Sequence, residues 1–164
     1  MRKQLGSGLA AIIVLAIAAT PAAAVTRQDA RALQALYKRS LDLTQELTDA
    51  VGGGVSQLNA TGDAQTLDCL DTLREAAGDV SDQLMDVRDV SSLAASLRHA
   101  PERRAGRIAS RKAAARALEV LPVEARQINQ TASLCLTQTV VQQKARDGLT
   151  LINDATPVLR RLAP

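Results

Sequence analysis

The sequence predicts an all-α, up-down-up-down four-helix bundle closed by one disulfide, with its third helix kinked or broken at Pro122. Three observations lead there. Hydrophobic residues make up 46% of the chain but aromatic ones only 1%. The apolar content is therefore Ala, Leu, Val and Ile, rich in helix formers and without the aromatics that favour sheets. Apolar positions recur at spacings of three and four along four segments joined by short connections, the pattern of amphipathic helices that pack antiparallel. The two cysteines, Cys69 and Cys135, lie far apart in neither a C-x-x-C nor a C-x-x-C-H arrangement, which suits a structural disulfide in an oxidising compartment.

Before the first helix, Arg2 and Lys3 precede an apolar run from Leu9 to Ala19, then Thr20-Pro21 and Ala22-Ala23-Ala24. A charged segment, an apolar segment and an A-x-A site in that order read as a cleavable signal peptide over residues 1–24. The apolar run is well short of the roughly 20 residues a spanning helix needs. Residues 25–164 are then one helical-bundle domain, exported to the periplasm or the medium. The signal takes two of the chain's basic groups with it, and a formal charge of +3 for the whole chain falls towards neutrality.

The first helix is expected to open at Thr26, whose hydroxyl can cap it, with Asp29 in the first turn. Leu33, Leu36, Ser40, Leu43, Leu47 and Ala50 share one face, and Gly52-Gly53-Gly54 is expected to end the helix because glycine carries a high entropic cost there. A second helix from about Asp63 to Val90 places Asp68, Asp71, Glu75, Asp79, Asp82, Asp86 and Asp89 in one acidic stripe. Leu70, Leu73, Ala77, Val80, Leu84 and Val87 lie opposite. Ser91 to Ala100 is a weaker stretch.

Pro101 and Glu102 suit the first turn of a third helix. Pro122 then either kinks that helix or starts a new one, although Leu121, Ala125, Ile128, Ala132 and Cys135 keep three-four spacing across it. The last helix, Thr137 to Leu162, carries Val141, Ala145, Leu149, Ile152, Ala155 and Leu159, with Gly148 and Pro157 weakening it.

A Cys69–Cys135 bond raises a question of register. Measured from a turn near Leu97, Cys135 lies about ten residues further along the chain than Cys69, or roughly 15 Å of helix. Bonded cysteines have Cα atoms about 4.4–6.8 Å apart. The bond therefore asks the Ser91–Ala100 stretch and the Pro122 break to absorb the mismatch.

Function is less legible. Arg103, Arg104, Arg107 and Arg111 cluster on one side of the third helix and form the candidate interaction face. Residues 98–116 hold seven Lys and Arg against one Glu, and residues 63–89 hold eight acids against two Arg. An ion-pair ladder between the two helices is the first expectation, each exposed pair contributing about 0–1 kcal/mol. A calcium site is not expected from the acidic stripe, because a straight helix does not fold six to eight oxygens around an ion. His99, the single histidine, has no companion nucleophile or ligand set in the sequence pattern.

No catalytic residues, metal ligands or cofactor are assigned. Leu43-Thr44-Gln45-Glu46-Leu47 departs at Leu47 from the L-T-x-x-Q motif of small periplasmic helical chaperones, and Leu136-Thr137-Gln138-Thr139-Val140 departs at Val140. No family is assigned.

The expectation is a non-enzymatic bundle that binds another macromolecule as a chaperone, an adaptor or an envelope accessory factor. A protein is the first candidate partner, and an anionic membrane or cell-wall polymer the second. Nucleic acid is not expected, because the chain is exported and has no aromatic stacking platform. The alternative is a small-ligand or cofactor carrier using the bundle interior.

Overall fold

The computed structural model describes residues 25–58 and 64–163. The expected signal peptide, its cleavage site and the start of the second helix at Asp63 lie outside them. Four helices follow in order: α1 Arg27–Leu58, α2 Ala64–Ser96, α3 Ala100–Leu134 and α4 Thr139–Leu162. They form an antiparallel bundle in which each helix packs on its neighbours in sequence and α4 closes on α1. The cross-section is a rhombus. α2 and α4 touch across its short diagonal, and among the described residues the backbones of α1 and α3 do not come together.

α1 begins as its sequence directs. The Asp29 amide donates to the Thr26 hydroxyl at 3.0 Å, and the Thr26 amide donates back to the Asp29 carboxylate at 3.2 Å. This reciprocal pair satisfies amides that have no partner within the helix. Leu33, Ser40 and Leu47 are fully buried along one face, with Leu36 and Leu43 beside them. Gly52-Gly53-Gly54 does not end the helix, which runs on to Leu58. Neither Gly52 nor Gly53 adopts a positive φ, so the freedom that made a turn attractive is unused. Glycine costs a helix only about 1 kcal/mol per residue, a weaker sanction than the missing N–H of proline.

α2 also outruns its expected end, continuing six residues past Val90 to Ser96. Ser91 and Ala94 are buried and extend the three-four spacing of Val80, Leu84 and Val87. Their small side chains let α3 approach closely. A β-carbon on Gly106 would lie 3.0 Å from the Ala94 Cα and from a Leu97 methyl.

α3 is one continuous helix through Pro122, so the restart does not occur. Proline removes the amide that would pair with the Leu118 carbonyl. The buried stripe nevertheless passes without a change of phase through Ala114, Ala117, Leu121, Ile128 and Cys135. α4 likewise passes through Pro157. Its buried face takes Gly148 and Leu151, while Leu149 is only half-buried. At Gly148 a β-carbon would meet an Ile128 methyl at 3.1 Å and a Leu43 methyl at 3.8 Å, so three helices converge on the bare backbone there.

Cys69 and Cys135 are bonded, with Cα atoms 6.7 Å apart. The register question resolves at the turn, not at Pro122. Ala94 faces Gly106, Cys69 Sγ lies 3.9 Å from the Thr131 carbonyl, and Cys135 Sγ lies 3.6 Å from the Gln65 carbonyl. These pairs are all symmetric about Ala100. Moving the centre of the hairpin from Leu97 to Ala100 shortens the offset between the cysteines to about four residues, one helical turn of roughly 6 Å.

Candidate functional site

The bundle has two chemically different ends. One end carries the disulfide, the start of α2 and the end of α3. The Gln142 amide donates to the Ala132 and Cys135 carbonyls at 2.6 and 3.0 Å, and the Gln65 amide donates to the Leu134 carbonyl at 3.1 Å. These bonds satisfy the C-terminal carbonyls of α3, which otherwise have no partner within the helix. Leu134 and Leu136, 72% and 71% exposed, flank the buried Cys135.

The opposite end gathers the start of α1, the end of α2, the start of α3 and the end of α4. Here Thr26 and Asp29 cap α1, and the Arg161 guanidinium lies 3.4 Å from the Asp29 carboxylate. Burial alone would push the Asp29 carboxyl up, but the hydrogen bonds from Thr26 and the charge of Arg161 outweigh it and hold the group below its ordinary value. The first turns of α3 lie here, with residues 101–105 all exposed. Arg103 reaches back across the turn and donates to the Arg98 carbonyl at 2.8 Å.

The charge ladder expected between α2 and α3 is not formed. Among the described residues no ion pair joins these two helices. Arg74–Asp71 and Arg88–Asp89 lie within α2, whereas Arg39–Asp154, Lys144–Glu46 and Arg161–Asp29 tie α1 to α4. The reason is geometric. The acidic stripe of α2 sits opposite its buried face and its carboxylates are largely exposed, and the one that lies near α3, Asp79, meets the Glu124 carboxylate there and not an arginine. Arg103 and Arg107 extend the core-facing stripe of α3 past the place where the core ends. The two sets of charges therefore do not pair across the α2–α3 contact.

The helices sort their charges by level. The half containing residues 25–41, 81–120 and 152–163 holds fourteen Lys and Arg against seven Asp and Glu. The described part of the other half, residues 42–58, 64–80 and 121–151, holds four against nine. The chain alternates direction, so basic segments contiguous in no helix meet at one end. Arg103, Arg104, Arg107 and Arg111 lie in this group, joined by Arg27 and Arg31 from α1 and by Arg160 and Arg161 from α4. Sequence reasoning missed the last four, because only the folded topology places the two chain termini beside the α2–α3 turn.

Other candidate chemistry is sparse. His99 is exposed at the turn before α3. Among the described residues no group of three or more His, Cys, Asp and Glu is arranged to hold a metal ion, and no helix is long and apolar enough to cross a membrane. Described concavities are open grooves between helices, such as one where Asp42 and Glu46 of α1 face Asp147 and Thr150 of α4. Arg88 lies over the Tyr37 ring at 3.9 Å and Tyr37 donates to the Met85 sulfur at 3.7 Å, so the single aromatic serves the α1–α2 packing. No family model, curated protein or solved structure matches the chain.

Proposed function

We propose that this chain is an exported, non-enzymatic bundle that binds another macromolecule through its basic end, as a chaperone, an adaptor or an envelope accessory factor. The observation that carries the reading is the separation of charge along the bundle axis. Arginines from three helices and the α2–α3 turn converge on one end, and no carboxylate of the acidic stripe pairs with Arg107 or Arg111. Uncompensated charge concentrated on one surface favours an oppositely charged partner and speeds encounter with it. The Cys69–Cys135 bond supports residence in an oxidising compartment, as does the signal-like segment before Val25.

Affinity capture from the protein's own envelope fraction tests this. The parent should retain a macromolecule that a variant carrying Arg103→Glu, Arg104→Glu and Arg107→Glu loses, with both proteins giving the same helical circular dichroism. Equal retention by the two would remove the basic end from the binding function. Sequencing of the exported form should find Val25 at its N-terminus.

A further inference from the structure

We infer that the surface engaged by the basic end is an anionic membrane, held through lipid headgroups. The inference rests on the macromolecule-binding reading above and names the partner. Three independent features of this end point to a bilayer. The first is the shape of the charge. Arg27, Arg31, Arg98, Arg103, Arg104 and Arg160 are all exposed, and they come from α1, α3, α4 and the α2–α3 turn to spread over one end. A set of guanidinium groups spread this way matches a plane of many like charges, and each basic group near an anionic leaflet adds to the attraction.

The second feature is apolar. Leu93 and Ile108 are 61% and 46% exposed, and the register that sets Ala94 against Gly106 puts them at one level of the α2–α3 hairpin. Aliphatic side chains among arginines can enter the headgroup boundary while the charges stay at its surface. The chain has no Trp or Phe, so this contact is shallow and the attraction is mainly electrostatic.

The third feature is connectivity. The residues preceding Val25 carry the apolar run Leu9–Ala19 and join the bundle at the start of α1, which lies at the basic end. The basic end is therefore the one from which the expected signal segment leaves the bundle in sequence.

Cosedimentation of the exported protein with vesicles tests the inference. One vesicle set is phosphatidylcholine alone, and the other is phosphatidylcholine mixed with phosphatidylglycerol. The protein should pellet with the anionic set at low salt. Its partition should fall by at least about tenfold with neutral vesicles, with high salt, and with the Arg103→Glu, Arg104→Glu, Arg107→Glu variant. A milder variant, Arg27→Gln with Arg160→Gln, lies on different helices and should weaken binding in the same direction. Reversing Asp68 and Glu75 to Lys at the other end should not weaken it.

Equal pelleting with both vesicle sets, or none with the anionic set, would overturn the membrane as partner. If pelleting fails while the reversed variant still loses a captured macromolecule, the partner is a protein or polymer and the broader reading stands. Failure of both assays would remove both.

Discussion

The two ends of the bundle are secured by different means. At the disulfide end, a covalent bond and three glutamine hydrogen bonds fasten α2 and α4 to the last turn of α3. At the basic end, α2 and α3 meet through small residues, and the half-buried Arg161–Asp29 contact ties α4 to α1. Like charges brought together destabilise a compact state, and a single ion pair at 3.4 Å offsets little of that. The cost of crowding arginines at one end is thus met by packing along the shared core and by the bond at the far end. A firmly closed end lets the other remain charged and open.

Removing the bond should have the largest effect on that balance. Replacing Cys69 and Cys135 together by Ala is expected to lower unfolding stability by about 2–5 kcal/mol, since a long loop is no longer closed in the unfolded chain. Urea denaturation of the parent with and without reductant checks it. The parent should shift on reduction and the double variant should not. Non-reducing peptide mapping should recover one peptide pair containing both cysteines.

At the open end the corresponding weak point is Gly106. Gly106→Ala forces a methyl to 3.0 Å from the Ala94 backbone, which cannot rotate away as a side-chain tip could. A loss of about 1–3 kcal/mol is expected despite the better helix propensity of alanine. Gly52→Ala and Gly53→Ala place the same methyl in open space within a helix, and each should instead stabilise by about 0.5–1 kcal/mol. Thermal melts of the three variants give opposite signs if packing, and not propensity, makes Gly106 necessary.

Much of the fold was legible because the three-four spacing of apolar residues and the Thr26–Asp29 cap are local signals. Leu33, Leu47, Leu70, Val80, Leu121 and Ile128 are buried where their spacing places them. The misjudged features were the ones that depend on a neighbour. Gly148 reads as a defect in its helix until the facing Ile128 methyl is known, and Gly106 carries no sequence signal of the Ala94 backbone it faces. The glycine run in α1 looked like a stop because propensity was asked to decide a boundary. Three-four spacing places Ala125 on the core stripe and a charged residue such as Glu124 at the surface, yet Glu124 is only 6% exposed.

The candidate site was half legible. Arg103, Arg104, Arg107 and Arg111 stand together in sequence, whereas Arg27, Arg31, Arg160 and Arg161 join them only through topology. The ladder between α2 and α3 was inferred from opposite net charge in adjacent segments. Such a count does not say on which side of each helix the charges sit.

Glu124 offers the smallest and most specific test of how the ends differ, because its titration runs opposite to that of Asp29. Glu124 lies on the buried stripe of α3 between Leu121 and Ile128, and its Oε2 has no hydrogen-bond partner. Burial pushes its carboxyl above the ordinary value of 4.5, and the Asp79 carboxylate on α2 adds to the rise. A raised value means that the folded state holds the proton more tightly than the unfolded chain does. The contribution of Glu124 is therefore fully present below about pH 4.5 and is lost as pH rises through its folded value. Asp29 behaves in the opposite sense: its lowered value gives stability present above about pH 3.8 and lost as pH falls through its folded value. Glu124→Gln keeps the size of the side chain and removes the charge. At pH 7 it should raise stability by an amount of order 1 kcal/mol, and at pH 4 the gain should vanish because the parent carboxyl is then protonated as well. Asp29→Asn should cost stability at pH 7 and progressively less as the pH is lowered. Urea melts of both variants across that range would show two difference curves that shrink together towards acid with opposite signs. A Glu124→Gln variant less stable than the parent at neutral pH would mean that the carboxylate has a stabilising partner, and its place on the core stripe would then be a paired one.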